Sequence, residues 1–428
     1  MLLRSSWSLI CSVGPSTLLV SSASDTVVSM GIRRQRGKKI VLISVASVIG
    51  GLGVVLLVVL TVGGLFVPAN YLQPWSREYA GQFADPRMQV AAQALLAPSS
   101  HNMQPWTIRL DPSDPDVLYL YADPSRLTPA VDPEDRQTML SQGTFLSYLR
   151  VSALHLGYSS TFDLFPQGAY DETDLASSMR AVPVAKITLT KSLSTESTDY
   201  GSLFLSDTNR SPYTPAPVTA NQSAELSRLA ASSGAALTIY DKPKDLAAFA
   251  AFGTEGTLIE TQYDAATKEF DRLFYATESA KNEERSGFAV EGQGTSGFMK
   301  YLIQGMITID PALNDDATGA KRSIDSTAAA VAHTPNYALI STAGNTRTEQ
   351  VSAGILYGNF SLRARSLGLV MQPLSQVLQE YPSMAAPYDA IRAEYAPDGQ
   401  TIQMMVRLGT STTDYPQTMR RDVNSLLG

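Results

Sequence analysis

The sequence predicts an α+β protein in which two related half-domains follow one N-terminal transmembrane helix. Three features support this prediction: an uncharged apolar run near the N-terminus, alternating helical and strand patterns after it, and two long helical segments that align with each other. The chain has 428 residues, which is long enough for two or more domains with a sizeable apolar core.

The apolar run covers residues 40–67 and exceeds the roughly 20 residues that a helix needs to cross a bilayer. No Asp, Glu, Lys or Arg occurs between Lys39 and Arg77, although such residues make up 17% of the chain. Basic residues precede the run, and the aromatic residues Tyr71 and Trp75 follow it. By the positive-inside rule, we expect a single-pass protein of the cell membrane, with a cytoplasmic tail over 1–39 and an extracytoplasmic folded domain. A cleaved signal peptide is the alternative to the membrane anchor, and a translation start at Met30 is the alternative to a tail that includes residues 1–29.

The composition argues against several classes of function. With 33 basic against 40 acidic residues, the net charge is −7, so the chain lacks the basic surface that nucleic-acid binding requires. Cys11 is the single cysteine, which excludes a disulfide framework and a cysteine-ligated metal. The histidines, His101, His155 and His333, lie far apart in the sequence, which argues against a histidine-rich metal site. Redox or metal chemistry would therefore need a bound cofactor.

After a linker over 68–85, helical and strand patterns alternate to the end of the chain. The predicted helices cover residues 87–96, 134–156, 223–232, 246–275 and 349–367. The predicted strands cover residues 105–110, 117–121, 184–190, 337–342 and 402–408.

Two of the helical segments indicate an internal duplication. Residues 141–158 and 352–369 align without a gap at an offset of 211. Five positions match, including Gly143 with Gly354 and the terminal Gly157 with Gly368. Small residues allow close helix packing, and a terminal glycine suits a helix C-cap. We therefore predict two related halves, over 86–200 and 201–428.

The most informative motif is APSSHNMQPW, at residues 97–106. A proline ends the preceding helix, a loop of Ser, Ser, His and Asn follows, and Trp106 opens a strand. Several hydrogen-bonding groups beside an aromatic ring suit a flat heteroaromatic ligand. An ordinary capped turn with a buried tryptophan is the alternative that the residues themselves leave open.

This loop resembles the signature loop of the FMN-dependent nitroreductase family, especially its Acg-like branch, in which two half-domains are fused in one chain. The resemblance extends over most of residues 85–428 and includes further motifs at 132–136, 207–213, 354–373, 407–409 and 416–421. It implies a nitroreductase-like fold whose halves pack as an intramolecular pseudo-dimer.

The resemblance also implies one complete FMN site, shared between the halves, with no need for a homodimer. In the front half, the loop would contact the flavin ring through Pro98, Ser99, Ser100 and Asn102. In the rear half, the phosphate would be held by Thr208, Arg210, Arg420 and Arg421. Ser375 and Gln376 belong to the segment that would offer a backbone N–H to the flavin N5. No side chain is predicted to act as a catalytic acid or base.

One departure from the family pattern concerns the phosphate site. The entry motif of the family usually begins with arginine, where this chain has Ser206 followed by Asp207. Replacing a cation by a carboxylate near a phosphate lowers affinity for the phosphate.

The implied reaction is a two-electron transfer through FMN, from NAD(P)H or another donor to an electron-poor acceptor of the nitroaromatic or quinone type. A non-catalytic FMN-storage protein and a flavin-free scaffold of the same fold are the alternatives. The motif GQGTSG at residues 292–297 formally fits a dinucleotide fingerprint, but no predicted strand leads into it. We therefore predict a lid segment near 278–300.

Overall fold

The computed structural model describes residues 26–193 and 197–428. They belong to two compact units, one ending at Leu57 and one covering Val58–Gly428. Within the first unit the described residues are helical and belong to helix α1 (Thr26–Val62). Most of the predicted cytoplasmic tail, including Cys11, lies outside the described residues. Among the described residues, no helix qualifies by length and apolarity as a membrane span, so the predicted transmembrane helix over 40–67 is not confirmed.

The second unit contains alternating helices and strands, joined by short 3₁₀ turns. Its helices are α2 (Pro86–Ala94), α3 (Arg136–His155), α4 (Leu175–Ala181), α5 (Ala220–Ser227), α6 (Pro243–Thr261), α7 (Asp264–Leu273), α8 (Glu278–Glu284), α9 (Gly297–Ile309), α10 (Asp316–Ala332), α11 (Arg347–Ser366) and α12 (Ala385–Tyr395). Its strands are β1 (Trp106–Leu110), β2 (Val117–Ala122), β3 (Tyr158–Leu164), β4 (Ala185–Lys191), β5 (Ala236–Tyr240), β6 (Asn336–Thr342), β7 (Val370–Pro373) and β8 (Thr401–Gly409). This content confirms the α+β class.

The strands form two antiparallel sheets of four strands each. The first sheet has the order β1-β2-β4-β3, and the second has the order β5-β6-β8-β7. The two orders correspond strand by strand, as an internal duplication predicts. One core cluster surrounds Trp106 and Phe145 beside the first sheet, and two others surround Phe360 and Phe249 beside the second.

Helices α3 and α11 cross where each carries a glycine. A Cβ on Gly143 would lie 2.1 Å from the Val351 carbonyl oxygen, and a Cβ on Gly354 would lie 2.1 Å from that of Leu140. The two contacts are reciprocal, because Leu140 and Val351 have the same spacing of 211 residues as the two glycines. Reciprocal contacts of this kind characterise a two-fold interface.

Most predicted elements are present within a few residues of their expected bounds. The prediction of a single helix over 246–275 is wrong: helix α6 ends at Thr261, and a second helix, α7, begins at Asp264. Tyr263 is extended there (φ −93°, ψ 99°), and its ring stacks on Tyr381. The strands β3, β5 and β7 were not predicted, because β3 is half polar and β7 has only four residues. The boundary predicted between residues 200 and 201 stays a prediction.

Candidate functional site

The loop between α2 and β1 is held against the first turns of α3. The Ser100 amide donates to the Ser141 hydroxyl oxygen (3.0 Å), and the Ser100 hydroxyl donates to Gln137 Oε1 (3.2 Å). The Ser99 hydroxyl oxygen accepts from the Gln104 amide (3.0 Å), which closes the loop on itself. Trp106 is fully buried and donates from Nε1 to the Ser141 carbonyl oxygen (2.8 Å). The buried tryptophan of the alternative interpretation is therefore present in this turn, and the contact of the loop with a ring stays a prediction.

The backbone of this loop is strained. His101, Asn102 and Gln104 have φ values of 49°, 54° and 51°, in the left-handed region that residues with a Cβ rarely adopt. Gln104 is held from outside the loop, since its Nε2 donates to the Arg285 carbonyl oxygen (2.8 Å) and its Oε1 accepts from the Arg421 amide (2.8 Å). Strain of this kind concentrates at functional sites, where the surroundings fix an otherwise unfavourable conformation.

Asn102, in the predicted front half, contacts the C-terminal segment of the predicted rear half. Arg420 Nη1 donates to Asn102 Oδ1 (3.0 Å), and Asn102 Nδ2 donates to the Met419 carbonyl oxygen (3.1 Å). These residues are 318 positions apart in the chain. The structure therefore places the predicted ring-binding loop in direct contact with the predicted phosphate-binding segment.

The entry motif of the rear half lies against the end of the second sheet. The Asn209 amide donates to the Met371 carbonyl oxygen in β7 (2.8 Å), and Asn209 Nδ2 donates to that of Thr413 (2.9 Å). Thr208 and Arg210 flank Asn209, while Ser375 and Gln376 begin the 3₁₀ turn that follows β7 after Leu374. The Ser375 hydroxyl exchanges hydrogen bonds with the Met405 backbone of β8.

Arg420 is fully buried and already has an anionic partner. Its Nη2 lies 3.2 Å from Asp207 Oδ2, and Nη1 also donates to the Met419 carbonyl oxygen. Burial lowers the pKa of Arg420, and the Asp207 carboxylate opposes that effect. The acidic residue that departs from the family motif therefore neutralises one of the predicted phosphate ligands.

Arg421 has a structural role in this conformation. Its Nη1 donates to the carbonyl oxygens of Gln104 (2.9 Å) and Trp106 (3.0 Å), and its Nε and Nη2 donate to Ser425. These bonds join the C-terminal turn to the start of β1. The predicted phosphate contact of Arg421 stays a prediction, and it would compete with all four bonds.

Residues 285–294, called the cap below, cover both parts of the site. The Gly287 amide donates to the Asn102 carbonyl oxygen (3.2 Å), and Arg210 Nη1 donates to that of Gly292 (2.7 Å). Gly287 has a φ of 74°, and a Cβ there would lie 2.4 Å from the Leu273 carbonyl oxygen. The glycine motif at 292–297 joins a 3₁₀ turn to α9, which agrees with its not being a dinucleotide fingerprint.

A buried ionic cluster holds the cap from behind, and the sequence analysis missed it. Lys281 Nζ lies 2.7 Å from Glu278 Oε1 and 2.6 Å from Glu291 Oε1, and Lys300 Nζ lies 2.8 Å from Glu278 Oε1. The Tyr71 hydroxyl donates to Glu291 Oε1 (2.8 Å). Burial would raise the pKa of Glu278, but the hydrogen bonds and charges of Lys281 and Lys300 hold it below its usual value. The (i, i+3) spacing of Glu278 and Lys281 was the available signal, and it is more often found on solvated helix faces.

Comparisons with known proteins agree with the resemblance. No family model matches the chain. It is 25% identical over 343 residues to the putative NAD(P)H nitroreductase Rv3131 of Mycobacterium tuberculosis. The aligned region covers 78% of this chain and 88% of that protein. It is 29% identical over 96 residues to the uncharacterized protein Rv3127 of the same organism, which covers 22% of this chain and 27% of that protein.

Similar solved structures have low TM-scores. A putative nitroreductase from Anabaena variabilis is 11% identical, with a TM-score of 0.32, and the match covers 74% of this chain and 82% of that one. The FMN-dependent nitroreductase NfnB from Mycobacterium smegmatis is 13% identical, with a TM-score of 0.26, and the match covers 50% of this chain and 90% of that one. The similarity to Rv3131 confirms the predicted resemblance to the nitroreductase family.

Proposed function

We propose that this chain is an FMN-binding oxidoreductase that transfers two electrons from NAD(P)H to an electron-poor acceptor. The observation that carries the proposal is the contact between Asn102 and Arg420, because it joins the loop expected to bind a ring to the segment expected to bind its phosphate. The similarity to a putative NAD(P)H nitroreductase supports both the reaction class and the donor.

The residues at this junction suit an anionic ligand with a planar ring. Arg420 Nε and His101 Nδ1 are buried and have no partner among the described residues. Buried polar atoms normally form hydrogen bonds, so these atoms fit a ligand better than an empty junction. Arg210 is half-buried, and its positive charge acts on His101. Guanidinium groups bind phosphate through charge-assisted hydrogen bonds.

In this site Arg210 and Arg420 would hold the phosphate, while Ser99, Ser100 and Asn102 would orient the ring. FMN, when bound, supplies the two-electron chemistry, and the protein positions it. Ser375 and Gln376 would contribute from the end of β7. A nitroaromatic or quinone is the acceptor class that we propose.

The experiment is anaerobic reduction of the purified, FMN-loaded full-length chain. We expect NAD(P)H to bleach the flavin absorbance and a nitroaromatic to restore it. Arg210→Ala should weaken FMN binding about tenfold, the equivalent of roughly 1.4 kcal/mol, because a charged hydrogen-bond donor is lost. Arg228→Ala, at an exposed position in the same half, is the matched control. Wild-type protein that binds no FMN would contradict the proposal.

A non-catalytic flavin store is the second candidate, and two observations favour it. The ion pair between Asp207 and Arg420 reduces the positive charge available to a phosphate, and the cap covers Asn102. Bound FMN that NAD(P)H fails to bleach, while dithionite does, would support storage over turnover.

We further propose that the two halves form an intramolecular pseudo-dimer. The corresponding strand orders and the reciprocal contacts of Gly143 and Gly354 support this relation. A pseudo-dimer with one ring-binding loop and one basic segment has a single complete flavin site.

Membrane anchoring through residues 40–67, with the folded domain outside the cytoplasm, is also a proposal. The uncharged run and the basic residues before it support it, as do exposed apolar side chains of α1 such as Val48, Leu52 and Val55. Alkaline carbonate extraction should leave the full-length chain in the membrane fraction. A variant lacking residues 40–57 should be released.

A further inference from the structure

The imidazole of His101 lies inside the candidate site, in a position that its packing alone does not explain. His101 belongs to the strained loop, between Ser100 and Asn102. Its ring contacts Phe270 of α7, with centroids 5.3 Å apart, and Phe288 of the cap, with centroids 5.4 Å apart. The two phenylalanines also contact each other, at 5.6 Å. Rings from two rear-half segments therefore fix the orientation of a front-half side chain.

One ring nitrogen is left without a partner in this setting. His101 Nδ1 is buried, and it neither accepts nor donates a hydrogen bond among the described residues. An unsatisfied buried polar atom costs about 1–3 kcal/mol, so the position is unfavourable unless something else binds the nitrogen. A phenylalanine would make the same ring contacts without this cost.

The charge state of the ring follows from its surroundings. Burial, and to a smaller extent the positive charge of Arg210, lower the pKa of His101 to about 4. At neutral pH the imidazole is therefore uncharged, with one nitrogen as a donor and the other as an acceptor. Arg210 supplies positive charge for an anion, whereas His101 offers a neutral hydrogen bond to an uncharged polar group.

We propose that His101 is a ligand-binding residue, and that its Nδ1 forms a hydrogen bond with the polar edge of a planar aromatic ring bound against the loop of Ser99, Ser100 and Asn102. This inference rests on the proposed function. The ring edge belongs either to the flavin or to the electron acceptor, since both present carbonyl, imino or nitro groups. The geometry favours a ligand-binding role over a purely structural one, because nothing in the described part of the chain uses the nitrogen.

The test is a pair of substitutions in the full-length protein. His101→Phe keeps the ring and removes the nitrogen, whereas His101→Asn keeps a polar group of similar reach. His333→Phe, at an exposed position, is the control. The measurements are the FMN dissociation constant by fluorescence quenching, the KM for 2,4-dinitrotoluene at saturating FMN, and the thermal unfolding midpoint without ligand.

We expect His101→Phe to raise one of the two constants about tenfold, as expected for the loss of one hydrogen bond to the ligand. A rise in the FMN constant assigns the bond to the flavin, and a rise in KM alone assigns it to the acceptor. The unfolding midpoint should stay the same or increase, because an unsatisfied polar atom has been removed. His101→Asn should remain within about threefold of wild type.

A second measurement on the wild-type protein does not depend on a variant's folding. With ¹⁵N-labelled histidine, the Nδ1 resonance of His101 should shift on addition of FMN or of the acceptor. Wild-type protein that binds FMN and turns over, while both constants of His101→Phe stay within twofold and the resonance does not move, would overturn the inference and leave the proposed function intact. Failure of the wild type to bind FMN would overturn both.

Discussion

At the scale of single residues, the main feature of the candidate site is the ion pair between Asp207 and Arg420. Asp207 occupies a position near the predicted phosphate, and the structure shows why it is tolerated: the carboxylate lies 3.2 Å from the buried guanidinium of Arg420. A buried arginine without a counter-ion would be strongly unfavourable. Asp207 therefore stabilises the ligand-free protein, and it would compete with the phosphate of the proposed FMN.

This competition gives a prediction for Asp207→Asn. Without the carboxylate, Arg420 has no anionic partner until a phosphate binds. We expect FMN to bind about fivefold to tenfold more tightly, while the ligand-free protein unfolds at a lower temperature. Fluorescence titration and thermal unfolding measure the two effects, and Asp398→Asn in a surface turn is the control. An unchanged FMN affinity would show that Arg420 does not contact the phosphate.

A second buried carboxyl group gives a pH-dependent prediction. Glu260 is 6% exposed, and its Oε1 accepts from Gln379 Nε2 at 2.8 Å. Burial raises the pKa of Glu260 from its usual 4.5 to about 7, and the hydrogen bonds of Gln379 and Gln376 only partly oppose this. The folded state therefore binds this proton more strongly than the unfolded state, so the contribution of Glu260 to stability falls as the pH rises from about 4.5 to 7.

Glu260→Gln removes this titration and keeps the side chain neutral. The difference in unfolding free energy, variant minus wild type, should increase from pH 4.5 to pH 8, by about 1.4 kcal/mol for each unit of the pKa shift. Urea denaturation at several pH values measures it. Glu255→Gln, at an exposed position on the same helix, should show no such trend. A constant difference for Glu260→Gln would mean that Glu260 is not protonated in the folded protein.

At the scale of elements, the cap depends on the ionic cluster behind it. Lys281 is fully buried, and its ammonium lies within 2.7 Å of side-chain oxygens of Glu278, Glu291 and Gln304. Removing one partner of such a cluster leaves buried charges uncompensated. The cap should therefore loosen when the cluster is broken.

For Lys281→Met we expect a loss of about 3–5 kcal/mol in the free energy of unfolding, and faster amide hydrogen exchange over residues 285–294. The control is Lys321→Met, which removes an exposed pair with Asp325 and should cost less than about 1 kcal/mol. Equal effects of the two substitutions would contradict the proposed support of the cap.

The crossing of α3 and α11 is the second element on which the site depends, because α3 carries the partners of Ser100. Gly143→Ala would place a Cβ 2.1 Å from a backbone carbonyl oxygen, so the helices must separate. We expect a loss of about 1–3 kcal/mol by urea denaturation. Gly319→Ala in α10 has open space around the new methyl group and should stabilise the protein by about 0.5–1 kcal/mol.

Sequence patterns predicted these elements unevenly, for physical reasons. The α3 and α11 helices were predictable because the helical pattern continues over many residues in each and their glycines lie at matching positions. The buried cluster was not predictable, because Glu278 and Lys281 have the charge pattern of a solvated helix and Lys300 lies on a different helix. Likewise, the bonds of Arg421 depend on the packing of the C-terminal turn against β1, which no local pattern records.

At the scale of the whole molecule, the site joins segments that are distant in the sequence. Asn102 and Arg420 were expected to share one site only because the loop resembles a family in which two subunits build it. The contact between them agrees with that expectation, although composition and periodicity alone would not have predicted it. The two sheets repeat one strand order, yet each half contributes different residues to the junction.

The proposal of one flavin site formed by both halves is tested most directly by the FMN content of the purified full-length chain. The content is measured after saturation with FMN and removal of free ligand. Absorbance and mass spectrometry of the native protein give the number of flavins per chain. The predicted result is one FMN per chain in the wild type and in Arg228→Ala, with a reduced FMN content in both Asn102→Ala and Arg210→Ala. No bound flavin, or two per chain, would contradict a single site formed by the two halves.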